Sequence, residues 1–174
     1  PMSTKKNKKL LLIISVLFIS TPLFAKETLP VTSSPPLTLR QKIGQMIMVG
    51  FHATTPQDKQ VSIISQKIED GLVGGVIFFR YNIENPTQTK KLTAHFNNLN
   101  TTHPLLLAVD QEGGRVQRLN DKNGFKDFKS AQEVGETLSV KQAHEHYEKM
   151  AAITQDAGFN VVFGPVVDFA HHPE

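Results

Sequence analysis

Short unbroken apolar runs alternate along the chain with longer stretches whose apolar residues recur at helical spacing. The unbroken runs lie at residues 46–51, 75–79 and 105–109, and a fourth at 161–163 follows Asn160, the first residue of the fourth predicted strand. Runs of this length without polar alternation are typical of parallel strands that are buried on both faces. Helical spacing is clear in the stretch after the first run, at Val61, Ile64 and Ile68. The pattern predicts an α/β fold of parallel strands joined by crossover helices, and a closed barrel and an open sheet both fit it.

Capping residues predict where the intervening helices begin and end. The predicted starts are Thr38, Thr55-Pro56, Asn85-Pro86, Ser130 and Ser139. Each supplies a side-chain oxygen where the first free backbone N–H groups of a helix need an acceptor. Gly71 and Gly158 stand where a glycine ends the second and the last predicted helix. The chain after residue 38 therefore predicts about four strands and five helices.

The first 25 residues have the layout of a secretory signal peptide. Four lysines lie within residues 5–9, an apolar run follows at 10–19, and the small residue Ala25 precedes Lys26. The apolar run is too short to span a bilayer comfortably, although an uncleaved anchor is the alternative. We expect cleavage after Ala25, a periplasmic or secreted protein, and no stable membrane anchor once the leader is removed.

The charge balance changes once the leader is set aside. The whole chain has a formal net charge of +3, but residues 1–25 hold four of its nineteen basic residues and none of its sixteen acids. The remainder is nearly neutral, which argues against a nucleic-acid partner.

Residues 26–37 are rich in Pro, Ser and Thr and are predicted to form an extended linker. The chain has no cysteine, so the expected domain at residues 38–174 must be held by a hydrophobic core.

The segment 105–119 carries the candidate chemistry. Its apolar run ends at a carboxylate, and further polar residues and glycines follow within nine positions: Asp110, Glu112, Gly113, Gly114, Arg115 and Arg118. Side chains at the carboxyl ends of parallel strands point into the crevice where α/β proteins bind ligands. Carboxylates accept hydrogen bonds and guanidinium groups donate them, so the loop suits a polyhydroxylated ligand better than a purely anionic one. The alternative is that the acids pair with the arginines and only stabilise a turn.

The residues of this segment also carry a family resemblance. VDQEGGRVQRL at 109–119 resembles the substrate-binding segment of family 3 glycoside hydrolases, in the branch that removes β-linked N-acetylglucosamine. Three other stretches agree in order and spacing: IGQMIMVGF at 43–51, GGVIFF at 74–79 and GFNVVFGPVVD at 158–168. The resemblance covers residues 38–174 and implies a (β/α)8 barrel.

The resemblance implies roles for single residues. Asp110 is expected to accept hydrogen bonds from sugar hydroxyls and Arg118 to donate them. A salt bridge of Arg118 with Asp110 or Asp121 is the alternative, and the two roles are compatible. Asp168 is expected to end the fourth strand at the same rim as a supporting residue. Glu112 has no second acid to partner it, whereas glycosidases need two catalytic groups.

The catalytic groups that the resemblance implies are absent from the 174 residues. The family uses an aspartate nucleophile and, in this branch, a histidine-aspartate acid/base pair, which lie on a Lys-His-Phe-Pro-Gly-His-Gly type loop and on a later strand. Neither motif occurs here, so we expect these groups beyond residue 174 and expect this chain alone to be inactive. Four strands make half of a barrel. The chain is therefore interpreted as the N-terminal half of a (β/α)8 barrel, incomplete at its C-terminal end, in which some strand residues lack an opposing core layer: Val76, Phe78, Leu106 and Val161.

No metal or cofactor is expected. His144 and His146 are two positions apart on a predicted helix and point in different directions, and Gly113-Gly114 lacks the lysine and spacing of a phosphate-binding loop. The leading hypothesis is a hydrolase that removes β-linked N-acetylglucosamine from cell-wall or chitin-type glycans by a retaining mechanism. The alternatives are a non-catalytic sugar-binding remnant, a β-glucosidase-type hydrolase of the same family, and an unrelated barrel enzyme that acts on phosphorylated metabolites.

Overall fold

The computed structural model describes residues 36–168. In chain order the helices and strands are α1 Leu39–Gly44, β1 Met48–Val49, α2 Lys59–Glu69, β2 Gly75–Phe78, α3 Pro86–Asn97, β3 Leu106–Gly113, β4 Val116–Gln117, α4 Ala131–Thr137, α5 Val140–Asp156 and β5 Val161–Phe163. The predicted signal peptide and nearly all of the predicted linker lie outside the described residues. Within residues 36–168, no helix is both long enough and apolar enough to cross a membrane.

Four strands form a parallel sheet in the order β1-β2-β3-β5. Val76 pairs with Leu107, and Ala108 on β3 pairs with Val161 on β5. Helices connect the successive parallel strands, which confirms the predicted α/β class with crossover helices. β4 was not predicted, and it pairs antiparallel with the end of β3.

Helices cover one face of this sheet and build the hydrophobic core with it. The fully buried strand residues at alternate positions are Val76, Phe78, Leu107 and Val109, and they pack with helix residues that include Val61, Ile68, Leu92 and Phe96. Four phenylalanines meet edge to face in this core with ring centroids 5.0–6.1 Å apart: Phe51, Phe78, Phe96 and Phe159. Edge-to-face contacts contribute beyond the burial of apolar area, so this layer fixes the sheet against its helices.

The other face of the sheet is open in the part of the chain that the structure describes. Leu106 is 44% exposed and Phe163 is 45% exposed. The prediction that Leu106 lacks an opposing core layer is therefore confirmed, because within the described residues only one face of the sheet carries helices. The same prediction is wrong for Val76 and Phe78, because they point to the helix side, where they are fully buried.

Four of the five predicted helix starts are confirmed. The side chains of Thr38, Asn85, Ser130 and Ser139 each accept a hydrogen bond from a backbone N–H of the first turn. The predicted start at Thr55-Pro56 is wrong. α2 begins at Lys59, where Asp58 caps it by accepting a 2.8 Å hydrogen bond from the backbone N–H of Gln60.

Candidate functional site

The third strand runs further than its apolar residues predict. The run ends at Asp110, but β3 continues for three more residues and folds back as a hairpin with β4. Gln111 explains the continuation, because its fully buried side chain is hydrogen-bonded at both the amide nitrogen and the amide oxygen. Its Nε2 donates to the carbonyl of Leu119 at 2.9 Å, and its Oε1 accepts from the backbone N–H groups of Arg118 and Leu119 at 3.1 Å each. A buried amide thus holds the returning chain against β3.

Gly113 and Gly114 form the turn of this hairpin. Their φ angles of 87° and 60° lie in the left-handed region, which residues with a Cβ rarely adopt. A Cβ at Gly113 would overlap the carbonyl oxygen of Lys129, and the N–H of Gly114 donates to the carbonyl of Phe128 at 2.8 Å. The glycines therefore let the hairpin pack against the segment at 128–129.

Asp110 and Arg118 form an ion pair where the parallel part of β3 ends. Asp110 pairs in register with Phe163, so its side chain lies on the open face of the sheet. Arg118 Nη2 donates to Asp110 Oδ2 at 2.6 Å, and the side chains of Arg118 and Asp110 are 21% and 20% exposed. Among the described residues, the buried Nε of Arg118 has no hydrogen-bond partner. The salt bridge expected as the alternative is therefore present, and it leaves part of the guanidinium unpaired. Binding of a ligand by the pair stays a prediction.

The backbone of Arg118 is fixed from two directions. Its N–H donates to the carbonyl of Asp110 and to Oε1 of Gln111, both at 3.1 Å. Its carbonyl accepts from Nδ2 of Asn123 at 2.7 Å. A guanidinium on so constrained a backbone loses little freedom when it binds a ligand.

A buried asparagine ties together the loops that follow β1 and β2. The side chain of Asn82 is fully buried, and its Nδ2 donates to the carbonyls of Phe51 and Ala53 at 2.9 Å each. Its Oδ1 accepts from the N–H of Phe79 at 2.8 Å. These loops lie at the same carboxyl end of the sheet as Asp110, so Asn82 shapes the rim beside the ion pair. Asn82 and Gln111 were not predicted as site residues, although each is an amide close to the end of an apolar run, which is a usable sequence signal.

Two open clefts flank the hairpin, and neither contains the ion pair. The larger, of about 720 Å³, is lined by Glu112 and Asp168, and the smaller, of about 490 Å³, by Arg80, Glu84 and Arg115. The expectation that Asp168 ends a strand is wrong, because β5 ends at Phe163. Asp168 is exposed in the following loop and shares a cleft with Glu112 instead.

Glu133 also borders the larger cleft, and its pKa has a local explanation. Hydrogen bonds from the backbone N–H and the hydroxyl of Ser130 lower the pKa of the Glu133 carboxyl. These contacts form the capping box at the start of α4. The shift therefore reflects helix capping and does not mark a catalytic acid.

The histidines considered as metal ligands do not gather with other ligands in the described residues. His144 Nε2 lies 3.4 Å from Oε1 of Glu148, one helical turn away. Within residues 36–168, no three acidic or histidine side chains are placed to hold a metal ion.

Comparison with known proteins connects this geometry to one family. The sequence matches the profile of the glycosyl hydrolase family 3 N terminal domain over residues 38–174. A beta-hexosaminidase from Nitrosomonas eutropha is 44% identical over 103 residues, which cover 56% of this chain and 29% of that protein. A beta-hexosaminidase from Pseudomonas aeruginosa is 35% identical over 127 residues, which cover 72% of this chain and 35% of that protein.

A solved structure has a similar fold. The chain is similar to a family 3 beta-N-acetylglucosaminidase from Paenibacillus, with a TM-score of 0.64 and 34% identity over 75% of this chain and 24% of that one. The chain spans about a third of the length of the curated relatives that it matches.

Proposed function

The chain belongs to glycosyl hydrolase family 3, and on that premise we propose that it is the sugar-holding part of an exported β-N-acetylhexosaminidase. The proposed substrate is β-linked N-acetylglucosamine in cell-wall or chitin-type glycans. The observation that carries the proposal is the Asp110–Arg118 ion pair on the open face, where the parallel part of β3 ends. The similarity to two beta-hexosaminidases supports the choice of sugar, and the lysine cluster followed by an apolar run supports export.

The chemistry of the pair suits a sugar ring. A carboxylate accepts hydrogen bonds from neighbouring hydroxyls, and a guanidinium donates from a rigid fork. The ion pair uses Nη2 of Arg118 and Oδ2 of Asp110, so the remaining donor and acceptor atoms serve a ring that carries both hydroxyl hydrogens and hydroxyl oxygens. The constrained backbone of Arg118 holds these atoms in position before the sugar arrives.

The bond-breaking groups come from elsewhere in this proposal. A retaining glycosidase needs a nucleophile and an acid/base group on opposite sides of the scissile bond. Asp110 is bonded to Arg118, and Glu112 borders a separate cleft. We therefore place the aspartate nucleophile and the histidine-aspartate pair outside these 174 residues, and we assign positioning of the sugar to this chain.

A second candidate function is sugar binding without catalysis. It is favoured by one observation, the absence of a Lys-His-Phe-Pro-Gly-His-Gly type motif from the sequence. The β-glucosidase-type alternative differs only in the sugar that the ion pair would hold.

Two measurements test the proposal. The first is binding of N-acetylglucosamine and of glucose to this chain and to its Asp110→Ala variant, by ligand-observed NMR. The second is hydrolysis of chromogenic N-acetylglucosaminide and glucoside by the complete enzyme that contains the chain. Binding of N-acetylglucosamine that depends on Asp110, together with hydrolysis of its aryl glycoside, is the expected result. Binding without hydrolysis identifies a remnant, and preference for the glucoside identifies the β-glucosidase type.

A further inference from the structure

An exposed aromatic stack lies at the carboxyl end of the sheet, outside the site described above. The rings of His52 and Tyr81 are parallel to within 10°, with centroids 4.0 Å apart. His52 is exposed and Tyr81 is 46% exposed. A stack of this geometry covers one face of each ring, so aromatic surface remains in contact with solvent. The hydrophobic core does not account for these two rings.

The stack is held in place by buried groups beneath it. His52 lies between Phe51 and Ala53, whose carbonyls both accept from the buried side chain of Asn82. Asn82 directly follows Tyr81, so one amide fixes the loops that carry both rings. The backbone N–H of His52 also donates to Oε1 of Gln60 at 2.8 Å. Rings positioned in this way need little further ordering to bind a ligand.

A third ring connects the stack to the ion pair. The ring of Phe79 lies 5.6 Å from that of Tyr81. It also lies over the backbone of Gly50, because a Cβ added there would be 2.7 Å from Phe79 Cε2. Phe78 pairs in register with Val109. Phe79, the residue after β2, therefore lies next to Asp110 on β3. The three rings therefore form a row that runs from the register position next to Asp110 to the exposed stack.

We propose that this row, called here the aromatic row (Phe79, Tyr81 and His52), is a carbohydrate-stacking platform for the sugar ring next to the one held by Asp110 and Arg118. A pyranose has one face of C–H groups, which packs on aromatic surface, while its hydroxyl edge stays in water. The inference rests on the proposed function, because the aromatic row can hold a second ring only if the ion pair holds the first. It predicts a preference for glycans of two or more rings over the monosaccharide.

The composition of the chain provides a direct probe of the platform. The sequence has no tryptophan and two tyrosines, and Tyr147 lies away from the row on α5. In a Tyr147→Phe variant of these 174 residues, Tyr81 is the single strong intrinsic fluorophore. We expect its emission to change on titration with N,N′,N″-triacetylchitotriose and to stay constant with N-acetylglucosamine, because a single ring held at the ion pair is too short to reach Tyr81.

Affinity measurements with matched variants complete the test. Tyr81→Ala should weaken trisaccharide binding by roughly five- to tenfold, the effect of losing one aromatic contact, and leave monosaccharide binding unchanged. Tyr81→Phe keeps the ring and should retain wild-type affinity. His52→Ala, on the other loop, should reproduce the loss. Circular dichroism of each variant checks that the fold is preserved, which we expect because the buried clamp is Asn82.

The outcomes separate the platform from the proposed function. Monosaccharide binding that depends on Asp110, combined with no Tyr81 response and equal trisaccharide affinity in Tyr81→Ala, overturns the platform and leaves the proposed function intact. A Tyr81 response to trisaccharide that is unchanged in Asp110→Ala contradicts the proposed function of the ion pair and also overturns the placement of the platform next to it. Absence of binding of either sugar overturns both.

Discussion

Removal of the Asp110 carboxylate tests whether the ion pair serves a ligand or only the fold. In Asp110→Ala, Arg118 loses its 2.6 Å partner while four-fifths of its side chain remains buried. A salt bridge in water contributes about 0–1 kcal/mol, and breaking a fully buried one costs about 3–5 kcal/mol. The pair lies between these limits, so we expect unfolding free energy to fall by about 1–3 kcal/mol.

The catalytic effect should exceed what this loss of stability explains. A hydrogen bond to a charged group contributes about 1.5–3 kcal/mol, and each 1.4 kcal/mol is a factor of about ten in rate. For hydrolysis of a chromogenic N-acetylglucosaminide by the complete enzyme, we expect kcat/KM to fall roughly ten- to hundredfold in Asp110→Ala. The comparison is made well below the melting temperature, where both proteins are folded.

Two further variants make the result decisive. Asp156→Ala removes the carboxylate of an exposed ion pair with Lys90, whose side chains are 48% and 73% exposed, and should change neither kcat/KM nor stability measurably. The double variant of Asp110 and Arg118 should lose no more activity than the worse single variant, because the two groups act on one ligand. Wild-type kinetics in a folded, destabilised Asp110→Ala enzyme would refute a binding role and leave the pair purely structural.

Four other predictions follow from the chain and its structure. We expect N-terminal sequencing of the exported protein to begin at Lys26, and a mature product that keeps the lysine cluster would contradict this. Asn82→Ala removes three side-chain hydrogen bonds from the rim and should destabilise the fold by about 1–3 kcal/mol in denaturant titration; an unchanged midpoint would show that the loops hold without it. The pKa of Glu133 is lowered in the folded protein, so its contribution is present at neutral pH and is lost as the pH falls through that lowered pKa. Melting curves of Glu133→Gln should therefore lack this acid dependence, whereas those of Glu136→Gln, from the same helix, should keep it. Residues 26–174 alone should not hydrolyse a chromogenic N-acetylglucosaminide, and turnover lost in Asp110→Ala would overturn that expectation.

Four helix starts were predictable because a single side chain decides each of them. Thr38, Asn85 and Ser139 each accept a hydrogen bond from a backbone N–H within their own first turn, so three or four residues of sequence contain the whole cause. The start of α2 was not predictable in this way. Asp58 caps α2 by the same kind of local hydrogen bond, so two residues three positions apart, Thr55 and Asp58, could cap this helix, and the sequence pattern did not decide between them.

The faces of the sheet show a second limit of sequence patterns. An unbroken apolar run indicates that both faces of a strand avoid water in the complete fold, but it does not say which element covers each face. Phe78 meets helices within the described residues, whereas Leu106 and Phe163 do not. The apolar run around Leu106 would have the same sequence pattern whether one face of the strand or both faces were covered. Only the positions of the helices show which face is open.

In the candidate site, neutral amide side chains are fully buried and shape the rim, whereas the charged side chains remain partly exposed. This difference has a physical cause. The free-energy cost of burying an amide is small once the amide is hydrogen-bonded, whereas a charge can be buried only beside a partner of opposite sign. Gln111 and Asn82 are accordingly fully buried with their amides hydrogen-bonded to backbone groups, and they set the shape of the rim. The charged pair Asp110 and Arg118 remains one-fifth exposed on the open face, where a ligand can reach it. Mutation of the amides should therefore change stability first and ligand affinity second, whereas mutation of the charged pair should change affinity by more than its cost in stability.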